Sequence, residues 1–266
     1  MDWSKIKTIF IISFLVLNIY LMYEFLKILN ESQHDFMTEA SLEEKLKTAE
    51  IDYNQLPEGP KKDVFLSAKP LQFTADVIEN LVGVQSFSIG GEGTVLQAAL
   101  AEPIKLPEKF DPALLSNYVK AKIYEGTKYR FWELNEEDHT ITFYQQYQDK
   151  TFYKNLNGEL TFFINEEREV VSYSQTLLKD IKVLSDKEEI LSPMMAIETL
   201  YEKGDLRPKS TITKVELGYY TLVHLTSQIV LTPAWRFEVN GEDNLFVNAF
   251  EGQIIQLNNE DKKIVE

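Results

Sequence analysis

Apolar positions form one unbroken run near the N-terminus and shorter, alternating runs over the rest of the chain. Residues 8–23 read TIFIISFLVLNIYLMY without a charged side chain, and further apolar residues follow up to Leu29. A helix over residues 6–29 would rise roughly 36 Å, which is enough to cross a hydrocarbon core of about 30 Å. The pattern therefore predicts a transmembrane helix over residues 8–29, preceded by a stub of residues 1–7.

The charges around this run predict its orientation. Lys5 and Lys7 precede it, and positively charged flanks stay on the cytoplasmic side of a membrane. We expect a chain that crosses the cell membrane once, with its N-terminus in the cytoplasm and residues 30–266 outside the cell. No small-x-small cleavage motif follows the run, which favours an uncleaved anchor over a cleaved signal peptide or a buried soluble helix.

Two polar side chains, Ser13 and Asn18, interrupt the predicted membrane helix. Polar groups in lipid usually form hydrogen bonds across a helix interface, so both residues are candidates for contacts with partner helices. They lie about 140° apart around a helix and so do not form one stripe. The alternative interpretation is that Ser13 bonds its own backbone and that Asn18 lies near the membrane surface.

Helix-start signals follow at three places. The stretch from Ser41 to Glu44 fits a capping box and predicts a short helix over residues 42–51. Asp111-Pro112 and Ser192-Pro193 each supply an N-cap side chain and a proline at the first helical position. Gly204 is expected to end the last of these helices, because glycine is favoured just after a helix C-terminus.

Alternating apolar residues and turn signals predict antiparallel strands after each of the two later helices. Asn157-Gly158 and Asn240-Gly241 are expected to form hairpin turns. The GGEG stretch at residues 90–93 lacks the spacing of a phosphate-binding loop and is expected to join two strands. The predicted strands are 84–89, 94–100, 140–147, 151–156, 160–164, 169–174, 211–222, 228–239, 244–248 and 253–257.

A weak internal repeat organises these elements. Phe163-Ile164-Asn165 recurs as Phe246-Val247-Asn248, and the two Asn-Gly-Glu stretches that begin at Asn157 and Asn240 share the same offset of 83 residues. The sequence predicts an α+β fold in which each copy is a helix followed by an antiparallel meander that the helix covers. The expected outer regions are an N-terminal part over 30–105, a first repeat over 106–180 and a second repeat over 185–266.

The charge balance is strongly acidic and unevenly distributed. The chain has 27 Lys and Arg against 42 Asp and Glu, a formal net charge of −15. Residues 1–29 hold three of the bases and two of the acids, so residues 30–266 carry 24 bases against 40 acids. Such a balance argues against a nucleic-acid binder, and the lack of cysteine excludes disulfides, a thiol nucleophile and an iron–sulfur cluster.

The sequence offers no convincing catalytic or metal-binding set of residues. His34, His139 and His224 are dispersed, and the motifs of nucleophile elbows and P-loops are missing. Three acidic pairs could suggest a two-carboxylate glycosidase, but each lies in a turn or linker among other charges. These pairs are Glu136-Glu137, Glu166-Glu167 and Glu188-Glu189. We therefore expect a protein that is not an enzyme and has no catalytic residue, cofactor or metal ion.

Both ends of the chain carry a family resemblance. The N-terminus MDWSKIKTIFIISFLVLNIYL and the runs LGYY (217–220), LTPAWRF (231–237) and LFVNAFEGQI (245–254) resemble the YycI (WalI) family of low-GC Gram-positive bacteria. The second repeat is also similar to PepSY-like domains. We interpret the motif residues first as structural; they are Tyr219, Tyr220, Pro233, Trp235, Arg236, Asn248 and Gly252. The first repeat departs from the motif, because it has no PAWR counterpart near residue 150 and has Glu169 where Gly252 would align.

The resemblance implies regulation. Members of this family are membrane-anchored and act with a sister protein, YycH, on the sensor histidine kinase WalK (YycG), which controls cell-wall metabolism. The implied partners are that kinase and YycH, reached through the membrane helix and the outer domain. Two alternatives stay open: a PepSY-like inhibitor or chaperone of a secreted protease or wall enzyme, and an enzyme acting on wall polymers.

Overall fold

The chain divides into two compact units. They are Met1–Asp52 with Arg207–Ser210, and Tyr53–Leu206 with Thr211–Glu266. The computed structural model describes residues 3, 7, 10–22, 35–74, 77, 82–225, 228–241 and 243–256.

The first unit is helical over most of its described length. Residues 10–22 are helical, and helix α1 covers Asp35–Thr48. α1 buries the side chain of Leu42. After the helix, Asp52 N donates a hydrogen bond to Ser210 O at 3.0 Å, which ties the short second segment of this unit to the first.

α1 begins earlier than the sequence predicts. The capping-box signal places the start at Ser41 and the helix over residues 42–51, whereas Ser41 lies inside a helix that starts at Asp35 and ends at Thr48. Glu39 and Ala40 precede the apparent cap and are good helix formers, so the helix continues through them. The predicted boundary is therefore wrong, although the predicted helix exists.

Within the part of the chain that the structure describes, no helix combines the length and the apolar character that crossing a membrane requires. The predicted membrane helix over residues 8–29 is described only at residues 10–22, and the stub before it only at Trp3 and Lys7. The membrane helix therefore stays a prediction.

The described part of the second unit contains two large antiparallel sheets, a separate two-stranded pair of β2 with β12, and two α-helices. The helices are α2 (Pro112–Lys122) and α3 (Pro193–Lys203). The strands described in the chain are β1 (Asp52–Tyr53), β2 (Lys62–Asp63), β3 (Leu66–Pro70), β4 (Val84–Gly90), β5 (Val95–Lys105), β6 (Tyr129–Asn135), β7 (Thr140–Tyr147), β8 (Lys150–Thr151), β9 (Glu159–Ile164), β10 (Glu169–Gln175), β11 (Leu178–Val183), β12 (Glu188–Glu189), β13 (Thr211–Leu225), β14 (Gln228–Val239) and β15 (Asp243–Asn248).

Both helices of the second unit begin where their local signals predict. The side chain of Asp111 accepts a hydrogen bond from Ala113 N at 2.9 Å, and Ser192 Oγ accepts one from Met195 N at 3.2 Å. These bonds satisfy backbone donors that have no partner inside the helix. Gly204 ends α3 with a left-handed φ of +81°, as the sequence predicts.

The first sheet has the strand order β4-β5-β10-β9-β7-β6, with β8 paired to the end of β7. Leu115 and Val119 of α2 lie in one core cluster with Phe143, Phe162 and Tyr173 of the sheet. The predicted packing of a helix on an antiparallel sheet is present here. β4 and β5 form the hairpin predicted at GGEG, joined by a 3₁₀ turn at Gly91–Gly93.

The second sheet is organised around β14. β13 pairs with β14 along one edge, β3 and β15 share the other edge, and β11 pairs with β3. Trp235 and Phe237 on β14 are buried, as are Ile197 and Leu200 on α3. The mixed helix and sheet class predicted from the sequence is thus confirmed.

Strands from the N-terminal part of the chain enter both sheets. β3 joins the second sheet, whereas β4 and β5 join the first. β11 directly follows the last strand of the first sheet but belongs to the second. The predicted regions 30–105, 106–180 and 185–266 stay predictions, since hydrogen bonding between strands fixes sheet membership and not domain boundaries.

The two Asn-Gly turns have different structures. Asn240-Gly241 joins β14 to β15 with φ angles of +55° and +79°, as predicted for a tight hairpin. Asn157-Gly158 instead lies in a 3₁₀ turn, Leu156–Gly158, and the preceding strand β8 pairs with β7 and not with β9. That hairpin prediction is wrong, because residues between β7 and β9 leave the first sheet and contact β13.

Two predicted strands are shorter than expected. The strand expected over 151–156 is reduced to Lys150–Thr151, since the chain turns toward the second sheet after it. The strand expected over 253–257 is an isolated bridge between Val247 and Ile254 among the described residues.

The segment after β8 joins the two sheets. Phe152 forms a parallel bridge with Tyr219 of β13, and Tyr153 N donates a hydrogen bond to Tyr219 O at 2.8 Å. Gly218 allows this approach, because a Cβ there would lie 2.5 Å from Thr151 O. We call the contact of residues 150–153 with β13 the joint.

A buried glutamine secures the point where the chain crosses from the first sheet to the second. Gln145 Nε2 donates to Leu178 O and Leu178 N donates to Gln145 Oε1, both at 2.8 Å. The amide thereby reproduces the pair of bonds that a neighbouring strand would give to Leu178, the first residue of β11. Both backbone groups of Leu178 are satisfied although no water reaches Gln145.

We expect Gln145→Met to lower the free energy of unfolding by about 3 kcal/mol, because two buried backbone groups lose their partners. The neighbouring Gln146 is only partly buried, so Gln146→Met should change stability by less than about 1 kcal/mol. Urea unfolding of the full-length protein in detergent, followed by tryptophan fluorescence, measures both. Equal losses in the two variants would contradict this role of Gln145.

Candidate functional site

The motif residue Tyr219 takes part in a buried polar cluster at the joint. Its hydroxyl donates to Asp63 Oδ1 at 2.9 Å, and Lys150 Nζ lies 2.5 Å from Asp63 Oδ2. Val64 N supplies a third donor to the carboxylate at 3.0 Å. Burial, followed by the nearby Asp63 carboxylate, raises the pKa of Tyr219. The tyrosine is therefore a neutral donor that helps to hold a buried charge.

Tyr220 and Pro233 serve packing and strand pairing. Tyr220 packs against the cluster of Tyr153, Ala234 and Phe246. Pro233 O accepts a hydrogen bond from Ala249 N at 2.9 Å. The N–H and C=O groups of one residue in an antiparallel strand face the same edge, so the nitrogen of Pro233 faces the edge that β3 and β15 share. Pro233 lies between the stretch of β14 that pairs with β3 and the stretch that pairs with β15, so its missing N–H removes no hydrogen bond from either pairing.

Trp235 and Gly252 both lie against the segment before α3. The indole Nε1 of Trp235 donates to Leu191 O at 2.9 Å, and its ring leaves no room beside Gly59, where a Cβ would lie 2.5 Å away. Gly252 has a left-handed φ of +68°, and a Cβ there would lie 2.9 Å from Leu191 Cδ1. Both residues fix the path of the chain into α3.

Asn248 organises the turn after β15. Its Oδ1 accepts hydrogen bonds from Phe250 N at 2.9 Å and Glu251 N at 3.3 Å. Asn165 does the same after β9, accepting from Glu167 N at 3.0 Å. The sequence repeat of Phe-Ile/Val-Asn therefore corresponds to a real structural repeat in these two turns.

The second of these turns is one residue longer than the first. Ile164 pairs with Val170, whereas Val247 pairs with Ile254. In the longer turn Gly252 has a left-handed backbone conformation. In the shorter turn the left-handed residue is Arg168, so Glu169, which aligns with Gly252 in the sequence, does not have the same role.

Arg236 links the two sheets through its guanidinium. It lies over the ring of Trp132 on β6, with 4.2 Å from Cζ to the ring centroid. Its Nε donates to Asn244 Oδ1 at 2.6 Å, and its Nη2 pairs with Glu238 Oε2 at 3.0 Å. Its Nη1 pairs with Glu216 Oε2 at 3.0 Å. Stacking combined with several charge-assisted bonds is a geometry that arginine provides and lysine does not.

Glu216 on β13 is the centre of this ion network. Arg130 Nη2 of the first sheet lies 2.7 Å from Glu216 Oε1, and Lys214 Nζ lies 3.2 Å from Oε2. Burial works to raise the pKa of Glu216, but the charges and hydrogen bonds of Arg130 and Lys214 outweigh it and hold the pKa below its usual value. Three cations thus converge on one carboxylate where the two sheets meet.

A polar groove of about 620 Å³ opens beside the network. Its walls come from α2, β6, the end of β7 and β13, and three of its lining residues are the cations Lys120, Arg130 and Lys214. Asp149 also lines it. The groove is a locally basic surface on a strongly acidic chain.

The two polar residues of the predicted membrane helix occupy different faces. Asn18 lies within an apolar surface formed by Phe10, Ile11, Phe14, Leu15, Ile19 and Met22. Its Nδ2 donates to Phe14 O at 2.9 Å. Ser13 is exposed and is not part of that surface. Their roles as partner contacts stay predictions, and the structure separates the two candidates by position.

The residues considered for catalysis are scattered. His139 is exposed in a turn with its Nδ1 3.2 Å from Glu137 O, His224 lies on β13, and His34 is outside the described residues. All six glutamates of the acidic pairs are exposed. Over the described ranges, no three His, Cys, Asp or Glu side chains are grouped so as to hold a metal ion.

Several residues of the joint and the ion network were not expected from the sequence. Asp63 and Lys150 lie 87 residues apart, and Arg130 and Glu216 lie 86 residues apart. Glu216 could be noticed as a charged residue inside an apolar strand pattern, with Lys214 two positions before it, but no local pattern identifies Arg130 or Arg236 as its partners.

These features define an α+β protein whose conspicuous motif side chains serve internal packing and strand pairing. Residues 29–250 match the YycI protein family. The chain therefore belongs to the YycI family, and the resemblance inferred from its sequence is confirmed. The comparison with curated protein sequences finds no match.

Solved structures resemble the fold at low sequence identity. An uncharacterized protein from Eubacterium rectale is 10% identical with a TM-score of 0.48, over 79% of this chain and 91% of that one. The C-terminal domain of Bacillus megaterium YpeB is 11% identical with a TM-score of 0.38, over 73% of this chain and 90% of that one. Bacillus subtilis YycH is 13% identical with a TM-score of 0.42, over 74% of this chain and 54% of that one.

The ion network predicts a pH dependence of stability. The pKa of Glu216 is lower in the folded chain than its ordinary value of 4.5, so the unfolded chain binds more protons between these two values. The stabilising contribution is complete above the ordinary value and is lost as the pH falls through the lowered one. Glu216→Gln should lower the free energy of unfolding at neutral pH by about 1–3 kcal/mol and flatten this acid dependence.

The matched control is Glu189→Gln. Its side chain is 83% exposed and lies 3.8 Å from Lys62, so the substitution should change stability by less than about 0.5 kcal/mol. Chemical unfolding of full-length protein at several pH values measures both variants. An unchanged acid dependence in Glu216→Gln would contradict the assignment.

Proposed function

We propose that this protein is a membrane-anchored regulatory subunit of a sensor histidine kinase that controls cell-wall metabolism. It acts with a YycH-type sister protein on a kinase of the WalK (YycG) type. The observation that carries the proposal is membership of the YycI family over residues 29–250. That match covers every described element from α1 to β15, so the proposal concerns the folded part of the chain and not a single motif.

The proposed location follows from the charge pattern of the chain. Residues 8–29 cross the cell membrane once, with Lys5 and Lys7 on the cytoplasmic side. Residues 30–266 then form an acidic outer domain. The helix reaches the membrane segments of the kinase and the sister protein, and the outer domain pairs with that of the sister.

Asn18 is the proposed polar contact of the membrane helix. It lies in the middle of an apolar surface that includes Phe14 and Leu15, where a partner helix could pack. One amide N–H bonds Phe14 O, and a carboxamide offers a second N–H and a carbonyl acceptor beyond this bond. Hydrogen bonds of this kind between membrane helices contribute about 0.6–2 kcal/mol each.

Binding alone does not regulate a kinase. The complex must bind one signalling state of the kinase more tightly than the other, and the ratio of the two affinities sets the shift in kinase output. Typical coupling free energies of about 1–3 kcal/mol change an equilibrium between about 5-fold and 150-fold. A helix contact and an outer-domain contact that both favour the same kinase state would add their contributions.

The direct test is co-purification of the full-length protein from membranes in mild detergent. We expect both the kinase and the sister protein to accompany it, and deletion of the protein to change phosphorylation of the kinase's response regulator. Recovery of neither partner would overturn the proposal. An outer domain that performs the whole function after release from its anchor would favour a secreted inhibitor or chaperone instead.

Asn18→Leu should weaken regulation and leave the unfolding of the outer domain unchanged, because it removes a polar contact from an apolar helix surface. Ser13→Leu makes the same type of change outside that surface and should have a smaller effect. Response-regulator phosphorylation measures both variants. If response-regulator phosphorylation is unchanged in Asn18→Leu, Asn18 is not a contact that regulation depends on.

Single cysteines placed along residues 8–29 provide an independent readout, since the chain has no cysteine of its own. Crosslinks to a partner should recur with helical periodicity and include position 18. A pattern centred on position 13 would assign the contact to the other face.

A further inference from the structure

One of the two terminal strands of the first sheet has an edge that no other described strand covers. β4 is the terminal strand of the order β4-β5-β10-β9-β7-β6 and pairs with β5. In an antiparallel strand, alternate residues direct their N–H and C=O groups to opposite edges. Alternate residues of β4 therefore present backbone donors and acceptors on the side away from β5, where an added strand can bind them.

The sequence of β4 lacks the charged residues and prolines that often protect such an edge. Residues 82–91 read VGVQSFSIGG, without a charged residue or a proline, in a chain in which 26% of residues are charged. The pairing with β5 has one irregularity near Gln85 and is regular from Ser86 to Gly90. Five residues in regular register are enough for an added strand to form several backbone hydrogen bonds.

β11, one of the two terminal strands of the second sheet, provides the contrast. β11 contains Lys179, Asp180 and Lys182, and its register shifts between Lys179 and Lys182. Charges and bulges on an edge strand discourage pairing with another chain. Both strands have one register irregularity, so they differ in charge: β11 carries three charged side chains and β4 carries none.

Two large apolar side chains are exposed along β4. Phe87 is 50% exposed and Ile89 is 38% exposed. They are paired with Ala98 and Leu96 of β5, which are buried in the core, so they lie on the same face of the sheet. The apolar face of the core therefore continues beyond β5 onto a strand where it is only partly covered.

We propose that β4 is a docking edge, onto which a partner protein adds an extended strand whose apolar side chains pack beside Phe87 and Ile89. Backbone hydrogen bonds would hold the strand, and the two exposed side chains would select its sequence. The proposed occupant is the YycH-type sister protein and not a second copy, because two chains that each carry a net charge of −15 repel one another. This inference rests on the proposed function, which requires a contact outside the membrane helix.

The test uses the full-length protein co-expressed with the sister protein and compares two lysine substitutions. Phe87→Lys places a charge on the open edge, and Phe163→Lys places one on β9, where an equally large and 42% exposed side chain lies on an internal strand. We expect about tenfold less sister protein to be recovered with Phe87→Lys, which corresponds to about 1.4 kcal/mol, and less than a twofold change with Phe163→Lys. Thermal unfolding of both variants checks that the fold is retained.

A photo-crosslinking residue at Ser88 gives a second readout, with Gln97 as its control. Ser88 on β4 is paired with Gln97 on β5, so the two positions share a face and differ only in their distance from the edge. An adduct with the sister protein at position 88 and not at position 97 supports the docking edge. An adduct between two copies of this chain overturns the choice of partner.

The remaining outcomes separate this inference from the proposed function. If the unchanged protein recovers the sister protein and Phe87→Lys recovers it equally well, the docking edge is wrong and the proposed function stands. Phe163 lies on the face of the sheet opposite to Phe87, so if both substitutions reduce recovery equally, the loss is not specific to the edge and the docking edge is wrong. If the unchanged protein recovers no sister protein, both are wrong.

Discussion

A carboxylate buried away from water must find positive charge and hydrogen-bond donors inside the protein, and Asp63 finds them in strands that are distant in sequence. Lys150 reaches it from the end of the first sheet and Tyr219 from the centre of β13. Removing one of these partners would leave a buried charge with too little compensation. The requirement therefore fixes where residues 150–153 lie against β13, and the backbone bridge from Phe152 to Tyr219 follows from it.

The same strand carries the second polar centre three positions earlier. Glu216 forms ion pairs with Arg130 of the first sheet and Arg236 of β14, and Tyr153 Oη donates a hydrogen bond to Glu216 O at 3.2 Å. Aromatic packing surrounds these charges, since Trp132 stacks on Phe246 with 6.5 Å between ring centroids. A strongly acidic chain thus places three cations around one carboxylate at the boundary between its two large sheets.

Local interactions made part of this fold predictable. The caps at Asp111 and Ser192 and the hairpin at Asn240-Gly241 each depend on atoms within four residues, so short sequence patterns identify them. Asn157-Gly158 has the same local pattern but a different structure, because Gly158 is packed against Gln145 and the preceding residues are drawn to β13. The pairing of Asp63 with Lys150, of Glu216 with Arg130 and of Leu178 with Gln145 could not be predicted, since these residues are 87, 86 and 33 positions apart and no local pattern connects them.

The position of β3 in the second sheet has a consequence for how the chain is made. β3 is synthesised early, at residues 66–70, yet its neighbours are β11 and β14, which end at residues 183 and 239. The first sheet is complete in sequence once β10 has been made. During synthesis, Leu66 and Ala68 therefore stay unpaired and exposed until β11 and β14 have been made. Pairing over such separations closes long loops and slows folding, so this sheet is where a nascent chain is most open to capture by a chaperone or to aggregation.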